Sequence, residues 1–453
     1  MKAVKLLSVL FGTAALLANA AVAQNLRYPA SIQPNSFDYF EAVQTAPTNV
    51  DSNVAACACD ETGYTAAADC DAGPSLGCDA GCSSCGLGSC GSCGGCGLSC
   101  DWCNLGDAWT LSHEDSCITI GGWSQIGYSA NEQPFSVTKG DNLAFNDSTG
   151  NVDLHQQWVY VEKAAKTDGC CWDWGFRADV VYGTDAQKTQ AFGNPPAGNA
   201  GGFDNDWDHG RYGWALPQIY GELAVGNLSV IAGHFFTLIG YEVIPAPDNF
   251  FFSHAFTMFN GEPFTHTGAL ATYTASDNVT LYGGWTLGWD TGFDQFDDGS
   301  TFLGGFSVSN CCDTATFTYI CMFGDLGWRG DDGYNHSLVL DLKLTDKINY
   351  VIQSDFVKTD QFNEDTSSIN QYLFYTVNDC LGLGSRVERY YDDFQGNGFG
   401  DVYEATFGVN VKPHANLVIR PEVRYNWNFP AGAALPNNRS DLTVFGIDTI
   451  FTF

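Results

Sequence analysis

Arg420, Glu422 and Arg424 stand at alternate positions of 415-ANLVIRPEVRYNW-427, interleaved with Leu417, Ile419, Pro421, Val423, Tyr425 and Trp427. In 172-WDWGFRADVVY-182, Asp173, Arg177 and Asp179 likewise oppose Trp172, Trp174, Phe176, Val180 and Tyr182. Arg386 and Glu388 share this spacing. A period of two puts the charges on one face of an extended strand and the apolar groups on the other. Such rows can pair internally or sort passing ions by charge. They do not by themselves make covalent chemistry. Serine, histidine and acidic residues are scattered, with no GxSxG or HExxH arrangement, so no catalytic residue is assigned. The stretch 204-DNDWDHGR-211 opens like a calcium loop with Asp204, Asp206 and Asp208. His209 occupies the place of the required glycine, and no glutamate closes the loop. Diffuse divalent binding by acidic loops is the preferred reading, and no cofactor or discrete metal site is expected.

Cysteine is the other reactive type. Eleven of the 18 cysteines lie in 57–103, in a Gly/Ser background that ends 78-CDAGCSSCGLGSCGSCGGCGLSCDWC-103. CxxC pairs occur at Cys82/Cys85, Cys90/Cys93, Cys93/Cys96 and Cys100/Cys103. Two thiolates so spaced can grip zinc or an iron–sulfur cluster, and in an exported chain they form disulfides. The overlap at Cys90-Cys93-Cys96 does not resolve into two clean knuckles. The odd count requires at least one partner outside the segment. Disulfides are the favoured reading; metal binding and an unstructured Gly/Cys tether are the alternatives. Cys170, Cys171, Cys311, Cys312 and Cys380 fall in short connections further along and are the candidate outside partners. Local bridging, vicinal pairing or free thiols at those turns is the competing reading.

The start, MKAVKLLSVLFGTAALLANAAVAQ, has a basic head, an apolar run and an Ala-Val-Ala site, which reads as a signal peptide over 1–23. A polar linker (24–56), the Gly/Cys-rich segment (57–103) and a large remaining domain (104–453) follow. A formal charge of -33 with 19 Lys+Arg argues against nucleic acid as a partner. Aromatics at 14% argue against acidic disorder.

Sixteen alternating runs fill the chain from 117–128 to 441–453. Connections after even-numbered runs are short, such as 226–227, 379–380 and 413–414. Those after odd-numbered runs are long, such as 129–152, 183–213 and 238–264. A soluble sandwich has no reason to alternate in this way. A transmembrane antiparallel β-barrel does, with short periplasmic turns and long external loops. The expected fold is therefore all-β, a barrel of about 16 strands counted to within two, with a cysteine-rich N-terminal extension. A barrel of this size is too wide for wall side chains to fill, so its lumen is expected to hold water. The final run places Phe445, Ile447, Phe451 and Phe453 on the lipid face. It closes the barrel and ends on the kind of terminal Phe read by the outer-membrane assembly machinery.

The stretch 238-LIGYEVIPAPDNFFFSHAFTMFNGEPFTHTGALATY-273 resembles the second beta-barrel porin family, the OmpL-like one. The carrying residues are Gly240-Tyr241-Glu242, Pro245-Ala246-Pro247, Asn249-Phe250-Phe251, Ser253, Gly261-Glu262-Pro263 and Thr265-His266-Thr267-Gly268. The resemblance extends over about 117–453 and implies an outer-membrane barrel with pore function and no catalytic residues. In general porins, which this architecture is similar to, the third long loop folds inward and narrows the pore. Here that loop is 238–264, and its apolar content needs a wall to pack on. Glu242, Asp248, His254, Glu262 and His266 are expected to face the wall cations Arg177, Arg386, Arg420 and Arg424 across water. The bland alternative is that the arginines pair with neighbours such as Glu388 and Glu422.

The expected function is passive diffusion of small hydrophilic solutes or ions through this constriction, in the outer membrane, with the N-terminal segment periplasmic. A structural or surface-display barrel with little conductance is the alternative. Outer-membrane lipid, the assembly machinery and the solutes are the expected partners. A homotrimer is among the options for assembly.

Overall fold

The computed structural model describes residues 103, 105–112, 116–130, 145, 149–167, 171–193, 202–205, 207–295, 297–393, 400–428 and 440–453. The signal peptide, the linker, Cys82, Cys85, Cys90, Cys93, Cys96, Cys100 and Cys170 lie outside them. The alternating runs form sixteen strands: β1 (Thr119–Ala130), β2 (Val152–Lys163), β3 (Trp172–Gly183), β4 (Tyr212–Val225), β5 (Leu228–Phe236), β6 (Thr265–Ser276), β7 (Val279–Thr286) and β8 (Ser300–Ser309). They continue with β9 (Ala315–Asp325), β10 (Gly333–Thr345), β11 (Ile348–Thr359), β12 (Glu364–Asn378), β13 (Leu381–Asp392), β14 (Gly400–His414), β15 (Leu417–Trp427) and β16 (Asp441–Thr452). A two-residue strand, Asp208–His209, pairs with the start of β4 within a long loop. Boundaries shift modestly from the sequence reading. β12, for example, starts at Glu364 rather than at 368.

Every strand pairs antiparallel with its chain neighbour, and β16 returns to β1 with Trp123 opposite Thr452 and Ala130 opposite Phe445. Closure leaves no edge, so the backbone donors and acceptors of a spanning wall are paired without water. The two faces follow the alternation. Along β16, Leu442, Val444, Asp448, Ile450 and Thr452 are buried, while Phe445 and Phe451 are exposed. Exposed aromatics gather at both ends of the wall. Trp172, Trp174, Tyr273 and Phe451 lie near the short turns; Trp214, Trp285, Phe323 and Tyr425 lie near the long loops. These are the two girdles that suit lipid headgroup levels.

The interior departs from the expectation of a plain water-filled lumen. Three apolar clusters occupy it at the level of loop 238–264. One holds Trp123, Trp158, Ile244, Met258 and Phe264; the second holds Ile231, Leu238, Ile239, Leu303 and Ile320. The third joins Phe250 and Phe251 to Tyr372 and Phe374. The loop supplies much of this apolar surface through Leu238, Ile239, Ile244, Phe250, Phe251 and Met258.

Candidate functional site

A loop sunk inside a barrel carries main-chain N–H and C=O groups that need partners. Between β5 and β6 the loop solves this partly by itself. Asn249 Oδ1 accepts from the Val243 N–H at 3.0 Å, and its Nδ2 donates to the Val243 and Pro245 carbonyls at 2.6 and 2.9 Å. This clamp closes around a 3₁₀ turn, Ala246–Asp248, entered through Pro245. A single π-helical turn, Thr257–Gly261, shapes the return.

The wall satisfies the rest, and charged side chains do so in register. Arg420 donates to the Ala246 and Asn249 carbonyls at 2.9 and 2.6 Å. Glu422 accepts from the Phe252 and Ser253 N–H groups at 2.9 and 3.1 Å. Arg386 donates to the Ser253 carbonyl at 2.8 Å, and Arg424 donates to the His254 carbonyl. Glu388 accepts from the Phe256 and Thr257 N–H groups, both at 2.7 Å. Arginine thus meets carbonyls and glutamate meets amides, each bond strengthened by the side chain's charge. Beyond the β16–β1 seam, Gln156 of β2 holds Ile244 and Ala246 through 2.9 and 3.0 Å bonds.

The same arginines are neutralised along the wall. Arg420 pairs with Asp448 at 2.6 Å, and Arg386 pairs with Glu404 at 2.6 Å. Arg177 is held by Asp179 at 2.7 Å and Glu162 at 3.1 Å, over the Tyr160 ring. The expected facing of loop acids and wall cations is realised by Glu242 and Arg386 at 2.7 Å, with His254 3.3 Å from the same carboxylate. Burial alone would raise the Glu242 carboxyl; Arg386 and His254 outweigh it and hold it down at about 2.

Three expected partners sit differently. Glu262 receives the Gln353 side chain at 2.5 Å. His266 belongs to β6, so it is part of the wall, 3.0 Å from Thr237 Oγ1. Asp248 is half-buried at the 3₁₀ turn, where Arg177 is the charge acting on it. The arginines also do not line open water: Arg386 and Arg424 are 0% and 1% exposed, sealed beneath the loop. The arginines do pair with neighbouring carboxylates, and their remaining donors hold the loop.

One part of the site was not read from the sequence. Gly384 lies opposite Gly408, Gly408 opposite Glu422, and Glu422 opposite Gly446, a row crossing β13 to β16. Phe250 packs on Gly384, Phe251 on Gly408 and Phe252 on Gly446 and Gly127. Glycine at an inward position of a strand is the signal that could have been used, since it marks close approach by another group. A Cβ at Gly384 would overlap the Phe250 ring. The variant Gly384→Val is expected to lose about 1–3 kcal/mol through overpacking and to loosen the loop. Denaturation in detergent and protease cutting within 238–264 would check both effects.

The calcium-like stretch is structural in its described residues. Asp204 accepts from the Ala191 and Leu216 N–H groups, each at 2.8 Å. At the short-turn end, Cys380 is disulfide-bonded to Cys103, while Cys171, Cys311 and Cys312 are exposed thiols. Of the terminal residues, Phe445 and Phe451 are exposed, and Ile447 and Phe453 half-exposed.

The solved structures similar to this chain include the outer membrane channel DcaP of Acinetobacter baumannii, at 9% identity and a TM-score of 0.50, covering 74% of this chain and 97% of that one. They also include the anion-selective porin from Comamonas acidovorans (10% identity, TM-score 0.48, 74% and 99% covered). A trimer form of OmpT from Vibrio cholerae matches at 10% identity and a TM-score of 0.47, with the same coverages. The first of these shows the fold. No curated protein sequence matches the chain. The family model described as "Putative beta-barrel porin-2, OmpL-like" matches residues 117–453, and the chain belongs to that family of outer-membrane barrels.

Proposed function

We propose that the chain passes small hydrophilic solutes or ions passively across the outer membrane, with loop 238–264 as the constriction. The supporting observation is the loop itself. It is fixed inside the barrel by five charged wall residues acting on its main chain. A constriction so held keeps one size, and selection then follows size and charge without covalent chemistry. In this reading 1–23 is a signal peptide and the short-turn end faces the periplasm. Homotrimerisation is an added proposal. It rests on Ser124 and Gln157, hydrogen-bonded at 2.6 Å on the outer face midway along β1 and β2, where lipid offers polar groups no partner. A monomeric mass in detergent would remove it.

A second reading, a structural or surface-display barrel, is favoured by the near-complete burial of interior charge, Glu388 at 1% and Arg386 at 0%. Planar-bilayer recording separates the two. Stable ohmic steps of small unit size are expected, and reversal potentials in a salt gradient would then give the ion preference. Silence at every voltage would establish the structural reading instead.

A further inference from the structure

The described segment ahead of β1 does not hang free. It runs along the short-turn rim as a strap. The Leu105 carbonyl accepts from the Ala415 N–H at 2.9 Å. Asn416 in the same turn, 1% exposed, accepts from the Trp109 N–H at 2.7 Å and donates to the Trp109 carbonyl at 2.8 Å. Its Nδ2 also donates to the Thr452 carbonyl at 3.0 Å, so one side chain joins the strap to the end of β16. The Trp109 ring stacks on Phe451, with centroids 6.4 Å apart. Ser112 then bonds the Ile120 N–H at 2.5 Å, returning the strap to β1. The far end is covalent, because Cys103 is bonded to Cys380 in the turn between β12 and β13.

The strap therefore crosses the seam where the last strand meets the first. That seam ends on two bonds between Gly122 and Phe453, of 3.0 and 2.9 Å. Opening it would pull β1 away from β16 and toward a chain end. The strap binds β1 to turns on the other side of the gap, at β14–β15 and β12–β13. We propose that residues 103–112 form a covalent lock on the barrel seam, set by oxidation after the barrel has closed. The order follows from geometry. Cys103 and Cys380 are 277 residues apart in sequence, and Cys380 immediately precedes β13, four places around the ring from β1. In the folded barrel it is the pairing of β13 through β16 and back to β1 that sets the two thiols side by side. In the locking step they lose two protons and two electrons to a disulfide donor of the exported compartment, which leaves as two thiols. The lock concerns assembly and does not rest on conduction.

Hydrogen exchange on the purified, folded full-length protein tests the lock. Reduction is expected to speed exchange of the Gly122 and Phe453 amides about tenfold, while amides of β9 and β10, across the ring, keep their rates. C103S and C380S should match the reduced protein and gain nothing further when combined, which separates this bond from the other cysteines. N416A should accelerate the same amides with the disulfide intact. A uniform change around the ring, or no change at the seam, overturns the proposal. So does formation of the Cys103–Cys380 bond in urea-unfolded chain as fast as in folded barrels, followed by alkylation and peptide mapping.

Discussion

Arg386→Met is expected to lower the stability of the barrel by about 3–5 kcal/mol and to raise its conductance several-fold. Arg386 touches Glu242 on the loop, Glu404 on β14, and the carbonyl and hydroxyl of Ser253. Methionine fills much of the same volume but takes the nearest cation from two buried carboxylates, leaving Glu242 with His254 at 3.3 Å and Glu404 with Arg424 at 3.7 Å. Those charges cannot reach water unless the loop moves, so relief comes by undocking 238–264. In the proposed reading the loop sets the free cross-section, so stability and conductance should change together. Combining E242Q with Arg386→Met should recover part of the stability, because one of the stranded charges is gone. Denaturant unfolding in detergent and single-channel recording measure the two effects. Loss of stability with an unchanged unit conductance would show that the loop is not the constriction.

Removing Phe453 is expected to cut the yield of assembled barrel about tenfold or more, while leaving the unit conductance of inserted molecules unchanged. The residue contributes both halves of the terminal pair with Gly122, and its ring lies over that glycine. Two net hydrogen bonds amount to about 2 kcal/mol, more than the tenfold factor requires. In the proposed reading the constriction is loop 238–264, and the wall charges that hold it stand on β13 and β15. Counting heat-resistant barrel in membranes, then recording whatever inserts, tests the two parts separately. A normal yield would refute the role of the terminus as an assembly address. Phe453→Leu keeps the backbone pair and removes the aromatic ring, so it distinguishes seam closure from recognition of the ring itself.

The wall was legible in the sequence because its physics is local. A period of two needs only neighbours along the strand, as in Arg420, Glu422 and Arg424. Connection length is likewise a property of consecutive residues. From these two features came the strand number, the closure of β16 on β1 and the outward direction of Phe445 and Phe451. Residue type also marked 238–264 as a loop needing an apolar surface. It did not show what its polar groups would meet. Arg424 can bind a carboxylate or a carbonyl equally well, and its choice of His254 depends on a chain segment 170 residues away. The phenylalanines of 250–252 looked like generic apolar filling until Gly384, Gly408 and Gly446 were seen to form one row.

The sequence by itself thus determined that this chain closes an antiparallel barrel with a charged inner face and an apolar outer one. Only the tertiary structure decided that the inner charges serve the loop's main chain, that glycines seat its rings, and that a strap crosses the seam. The reason is distance along the chain. Alternation is set between residues two apart, whereas the loop's contacts with the wall charges and glycines, and the strap's with Asn416 and Cys380, join residues more than a hundred apart, and nothing in either partner alone specifies the other.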